Sequence, residues 1–127
     1  MSNTRKWSGR IIFILIVLFM AFDGIVHVIN PSFVVAAFAQ DGFPDSLAVV
    51  IGVVELVCLL LYVIPRTSVL GAILLTGYLG GAVSINARAG MPLFSAILFP
   101  VYIGILVWLA LYLRDPRLQD HLPIKKA

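Results

Sequence analysis

Four blocks of predominantly apolar residues, each about 20 long and each bounded by charge or proline, divide nearly all of the chain. A helix of that length rises roughly 30 Å, the thickness of a bilayer's hydrocarbon core. The first block runs from about Gly9 to Ile29 and stops at Asn30-Pro31, where proline disfavours helix in the residue before it. The second runs from Ser46 to Ile64 and stops at Pro65-Arg66. The third begins near Ser68 and continues through Leu74, Tyr78 and Val83 until Asn86 and Arg88. The fourth starts at Pro92, a favourable first-turn residue, and ends at Leu113, before Arg114-Asp115-Pro116-Arg117. All four are apolar around the whole circumference, the mark of a buried or membrane helix. The pattern predicts an all-α membrane protein, a four-transmembrane-helix bundle forming one domain over 1–127, with a polar tail at 114–127. Between the first two spans, Pro31 to Pro44 combines Phe33, Val34, Val35 and Phe38 with Gln40 and Asp41, and Asp45 follows. That stretch is too short to span and predicts an outer interfacial segment.

Composition agrees with this reading. The chain is 61% hydrophobic and 12% charged, against roughly 45–50% apolar residues in soluble domains. One small core could not hide so much apolar surface, so lipid is the expected solvent. Nine Lys and Arg against six Asp and Glu give a net charge of +3. These charges sit at the ends of apolar blocks and not along one face, which argues against nucleic acid. Placing Arg5, Lys6, Arg10, Arg66, Arg114, Arg117, Lys125 and Lys126 on one side leaves Arg88 alone on the other. The positive-inside rule then puts both termini in the cytoplasm. Arg5, Lys6 and Arg10, the apolar run and Ala37-Phe38-Ala39 imitate a signal peptide. The run exceeds the roughly 7–15 residues of a signal h-region, carries Asp23 and ends well before the small-residue triplet, so it is read as a span.

Cys58 is the only cysteine, which excludes a disulfide framework, a Cys-x-x-Cys pair and a thiolate metal cluster. His27 and His121, the second in the polar tail, exclude a bis-His haem within one chain. Inside the spans, ionisable groups are functional candidates by default, because a charge at mid-bilayer costs on the order of 2.5–3.5 kcal/mol or more. Asp23 and His27 are four apart and share a helix face. Glu55 lies near the middle of the second span, and Asn86 and Arg88 close the outer end of the third. An outer-leaflet polar cluster of Asp23, His27, Glu55, Asn86 and Arg88 is the expected site. Three readings of it stand: hydrogen-bonded glue between helices, a ligand, proton or quinone site, or a contact with a protein partner. No catalytic constellation and no metal ligand set is assigned, since Thr76 and Ser84 read as packing hydroxyls.

Gly71, Gly77, Gly80 and Gly81 mark the third span for close packing, and Gly77-x-x-x-Gly81 is expected to meet a backbone of the same chain. Pro100 should bend the fourth span, and Trp108 with Tyr112 should anchor it at the cytoplasmic interface.

Ile64-Pro65-Arg66, the run from Leu70 through Thr76-Gly77-Tyr78-Leu79-Gly80-Gly81 to Val83, Pro92-Leu93-Phe94 and Leu113-Arg114-Asp115-Pro116-Arg117 together resemble the DoxX-like family over about residues 10 to 123. Phe22-Asp23-Gly24 carries the match in the first span. The resemblance implies a four-helix bacterial plasma-membrane protein. It also implies kinship with a small subunit of a thiosulfate–quinone oxidoreductase, or with partners of oxidative-stress enzymes. Asp23, Glu55, Pro65, Arg66 and Arg88 fall on the family's polar or loop positions. The chain departs from the pattern at His27, Asn86 and Met91, which weakens any carried-over proton or metal role at the outer end of the third span. The implied function is a non-catalytic accessory or quinone-binding component of membrane redox or oxidative-stress functions, with lipid, quinone, a redox enzyme or a second copy as candidate partners. The competing reading is a small proton-coupled transporter using Glu55 at the midplane.

Overall fold

A computed structural model describes residues 3–40, 42–44, 46–125 and 127; Asp41, Asp45 and Lys126, weighed above, lie outside these. Helix α1 spans Asn3–Ile29, α2 Ser32–Gln40, α3 Ser46–Val63, α4 Ser68–Arg88 and α5 Phe99–Arg114. No strand occurs among the described residues. Asn3–Ile29, Ser46–Val63, Pro65–Arg88 and Leu93–Arg114 are each long and apolar enough to cross a membrane. The chain is an all-α, multi-pass membrane protein.

α1 is 27 residues long, about 40 Å at 1.5 Å per residue, and so outruns a hydrocarbon core of about 30 Å. It starts before the expected Gly9 because Arg5, Lys6, Trp7 and Arg10 continue the helix beyond the apolar block. The Arg10 guanidinium lies 5.4 Å over the Trp7 ring. α1 packs against α3 and α5, and α4 packs against the same two. The helices therefore form a square in which every neighbour is antiparallel. Ile16, Met20, Leu59, Tyr62, Leu75 and Val107 fill the centre, while Leu18, Phe22, Leu60 and Ile105 point outward. Side-chain bonds tie the helices of the square together. Tyr62 donates its hydroxyl to the Val107 carbonyl at 2.7 Å, and Trp108 Nε1 donates to Thr76 Oγ1 at 2.7 Å. The indole expected as an interface anchor thus commits its N–H to the outer edge of the α4–α5 seam, where a donor in hydrocarbon requires a partner.

The structure refines the expectations for Pro100, the tail and the glycines. Pro100 has no N–H for the Ala96 carbonyl, and its ring collides with an unbroken preceding turn. The fourth span bends at Leu98, as expected, and its regular helix is also interrupted there. A π-helical turn at Leu93–Ile97 is followed by a restart at Phe99, with Leu98 N donating to Leu93 O at 2.9 Å. The polar tail folds back in part on the bundle: Leu118 packs on the core, and Gln119 Nε2 donates to the Tyr112 carbonyl at 2.9 Å. The close seams also lie elsewhere than at Gly77-x-x-x-Gly81. A Cβ at Gly77, Gly80 or Gly81 would find open space, so no backbone neighbour stands there among the described residues. Gly71 does lie in a seam, directly against the Tyr62 backbone of α3. The crossing of α1 and α3 is comparably tight. A Cβ on Gly52 would stand 2.8 Å from both the Gly24 carbonyl and His27 Cβ, and one on Gly24 would stand 2.7 Å from Leu56 Cδ2.

Gly52→Ala should therefore force α1 and α3 apart and cost about 1–3 kcal/mol by overpacking. Gly77→Ala, with nothing to displace, should leave stability unchanged or slightly raised through helix propensity. Thermal unfolding of the two variants in detergent separates these outcomes.

Candidate functional site

The polar residues of α1 meet α3 because of that glycine crossing. Gly24 adjoins Asp23 in sequence, and Gly52 precedes Glu55 by three residues, so close approach of the two backbones brings the side chains together. One donor atom from each of Asp23, His27 and Glu55 lies within 4.8 Å of the others. Glu55 is 1% exposed, and its Oε2 accepts a hydrogen bond from the Tyr78 hydroxyl of α4 at 2.9 Å. His27 Nδ1 sits 2.7 Å from the Asp23 backbone carbonyl and 3.5 Å from Asp23 Oδ2. A carbonyl oxygen only accepts, so this contact makes Nδ1 the donor and directs the ring's other nitrogen, Nε2, away from it.

The outer segment contributes a cover. Asn30 adopts φ 57°, a left-handed conformation that asparagine tolerates, and this ends α1 so that α2 can turn back. Phe38 of α2 then stands edge-on to the His27 ring, with centroids 5.8 Å apart, and Val34 is buried. The expected interfacial segment is thus a helix that lies over the cluster.

Below it is a cavity of about 260 Å³, with Asp23, His27, Glu55, Tyr78 and Asn86 on its polar side and Phe19, Phe99 and Ile103 on its apolar side. Phe19 and Phe99 pack edge to face at 5.7 Å, and each is about two-fifths exposed toward the outside of the bundle. The volume falls just below the roughly 300–1,000 Å³ of drug-sized ligand pockets, so it suits a single ring or head group. The polar wall is rich in acceptors: two carboxyl groups and an imidazole nitrogen face a single hydroxyl already engaged with Glu55. Such a wall can hold a shared proton or a small cation, or accept hydrogen bonds from a ligand's hydroxyls.

Asn86 has a structural task here. Its Nδ2 donates at 2.9 Å to the Ala96 carbonyl, the group that Pro100 leaves without a helix donor. Arg88 does not line this cavity. It is exposed and borders a separate space near Gln40, Phe43 and Met91, which removes it from the cluster expected from sequence. Sequence reasoning missed Tyr78 as a member, although a tyrosine in mid-span, away from the interfacial belt, signals a hydrogen-bond partner. It also missed the Phe19–Phe99 pair, which no local pattern distinguishes from other lipid-facing phenylalanines.

A family model for the DoxX-like family matches residues 11–110. The chain belongs to that family. The match spans every residue of the cavity in this DoxX-like protein and stops short of the tail. No curated protein and no solved structure matches the chain.

Replacing Asn86 by leucine should orphan the Ala96 carbonyl and lower stability by about 1–3 kcal/mol. Ser84→Ala, at an exposed hydroxyl that bonds its own helix, should stay within about 0.5 kcal/mol of wild type. Parallel thermal melts of the two variants check this.

Proposed function

We propose that this DoxX-like protein is a non-catalytic accessory component of the bacterial plasma membrane that binds the reduced head group of a quinone, a quinol. The acceptor-rich cavity behind two lipid-facing phenylalanines carries this reading. A quinol's hydroxyls supply the donors that the cavity wall lacks: one donates to His27 Nε2 and the other to the carboxyl pair of Asp23 and Glu55. The apolar tail leaves past the Phe19–Phe99 pair into lipid, without crossing a polar barrier. An oxidised quinone offers only carbonyl acceptors and loses these bonds, so the cavity prefers the reduced form. Membership of the DoxX-like family supports a role beside membrane redox enzymes. The chain supplies no redox centre of its own in this role; it presents the ligand to a partner.

Both termini lie in the cytoplasm in this reading, because eight of the nine basic residues collect at that end of the bundle. A reporter fused after Lys126 should be active only in the cytoplasm, and activity only on the outer side overturns the orientation.

Native mass spectrometry on protein extracted gently, then offered a short-chain quinol or its quinone, tests the ligand. Retention of the quinol is expected, with at least about tenfold weaker binding in Glu55→Gln and His27→Ala, or about 1.4 kcal/mol. Equal retention in the variants, or a bare chain accompanied by a stoichiometric protein, returns the polar cluster to the role of glue.

A further inference from the structure

The end of the bundle remote from Asp23 holds a second built space. The α3–α4 turn and the end of α5 enclose about 460 Å³, lined by Arg66, Ser68, Val69, Arg114, Asp115 and Arg117 among others. Three of those six residues are arginines and one is an acid, and the acid is committed. Asp115 Oδ1 accepts from the Arg117 backbone N–H at 3.0 Å and lies 3.5 Å from Arg117 Nε. Arg114 is held in place by stacking, its guanidinium carbon 4.0 Å from the Phe13 ring centroid. Its Nη1 is closed off from solvent and meets no hydrogen-bond acceptor among the described residues. The stacked guanidinium lends the space fixed positive charge, and the exposed Arg66 and Arg117, which also line it, supply the N–H groups that can reach a ligand there.

The start of α4 faces the same space through Ser68 and Val69. This 21-residue helix has no acidic residue in its first turn, and Thr67 makes no side-chain cap. The hydroxyls that could have capped it point back instead, Thr67 Oγ1 donating to Leu61 O at 2.7 Å and Ser68 Oγ to Ile64 O at 3.0 Å. Uncapped helical amides, the positive end of the helix dipole and guanidinium groups all favour the same ligand chemistry, an oxyanion with several acceptor oxygens.

The geometry points to a phosphate site formed by Arg66, Arg114, Arg117 and the first turn of α4, occupied by the head group of an anionic phospholipid. The lipid source follows from position. The space lies where the chain leaves the hydrocarbon, at the end that collects the basic residues, and basic pockets between spanning helices are where anionic head groups bind. Val69, 40% exposed beside it, offers an apolar flank for the acyl chains. Arg114 and Arg117 lie beyond the residues matched by the family model, and the site is independent of what fills the Asp23 cavity.

The test is thermal unfolding of the full chain in neutral detergent, titrated with phosphatidylglycerol, phosphatidylcholine or inorganic phosphate. The paired variant Arg66→Gln with Arg117→Gln serves as the probe, because both side chains are exposed and their loss spares the core. Phosphatidylglycerol should raise the melting temperature while phosphatidylcholine does not, and the paired variant should need at least about ten times more of it. Stabilisation by inorganic phosphate as well, lost in the paired variant, keeps the site and makes its occupant a soluble phosphate compound. The proposal is overturned if neither phosphate source moves the melting temperature, or if the paired variant responds as wild type does.

Discussion

The approach of α1 to α3 at Gly24 and Gly52 is the constraint on which the remainder of the molecule rests. No hydrophobic force draws apolar helices together in lipid, so association depends on close van der Waals contact and on hydrogen bonds. Two positions without side chains allow that contact, and His27 Cβ lies against one of them. The same crossing sets Asp23 and His27 opposite Glu55, which would otherwise face separate neighbours. Packing and polar chemistry are thus one arrangement, since a change that parts the backbones also dissolves the cluster.

The broken fourth span shows how a membrane bundle accommodates an irregular backbone. Pro100 frees a carbonyl that cannot remain unpaired in hydrocarbon. A polar side chain on the facing helix, Asn86, meets it, and the π-helical turn absorbs the displaced backbone. This break also places Phe99 against Phe19, so the residues that close the cavity toward lipid follow from the same proline. Tyr62 and Trp108 perform similar work nearer the other end, each carrying a donor across a seam to an acceptor on a facing helix.

The two ends of the square differ in electrostatic character for reasons that the sequence only partly displays. Toward α2, two carboxyl groups and an imidazole line a cavity and present lone pairs. Toward the tail, arginines and an uncapped helix start present N–H groups. Each end is chemically one-sided, and the two proposed ligands differ for that reason.

The length of the apolar blocks and the placement of charge determined the class of protein, the number of spans and most of their limits. These are set by local solvent preference, and lipid imposes its length requirement one segment at a time. The candidacy of Asp23, His27 and Glu55 was legible for the same reason, because an ionisable residue in an apolar run is conspicuous wherever it folds. Only the tertiary structure decided which of the polar residues meet. It brought in Tyr78, gave Asn86 to a backbone carbonyl and left Arg88 outside, because a side chain's partners depend on helix rotation and crossing, which apolar all-round helices do not encode. The glycines show the same divide. Gly77-x-x-x-Gly81 carries the familiar spacing yet faces outward, whereas Gly24 and Gly52, isolated in separate spans, form the seam: closeness of two backbones is a property of the pair and is not written in either helix alone.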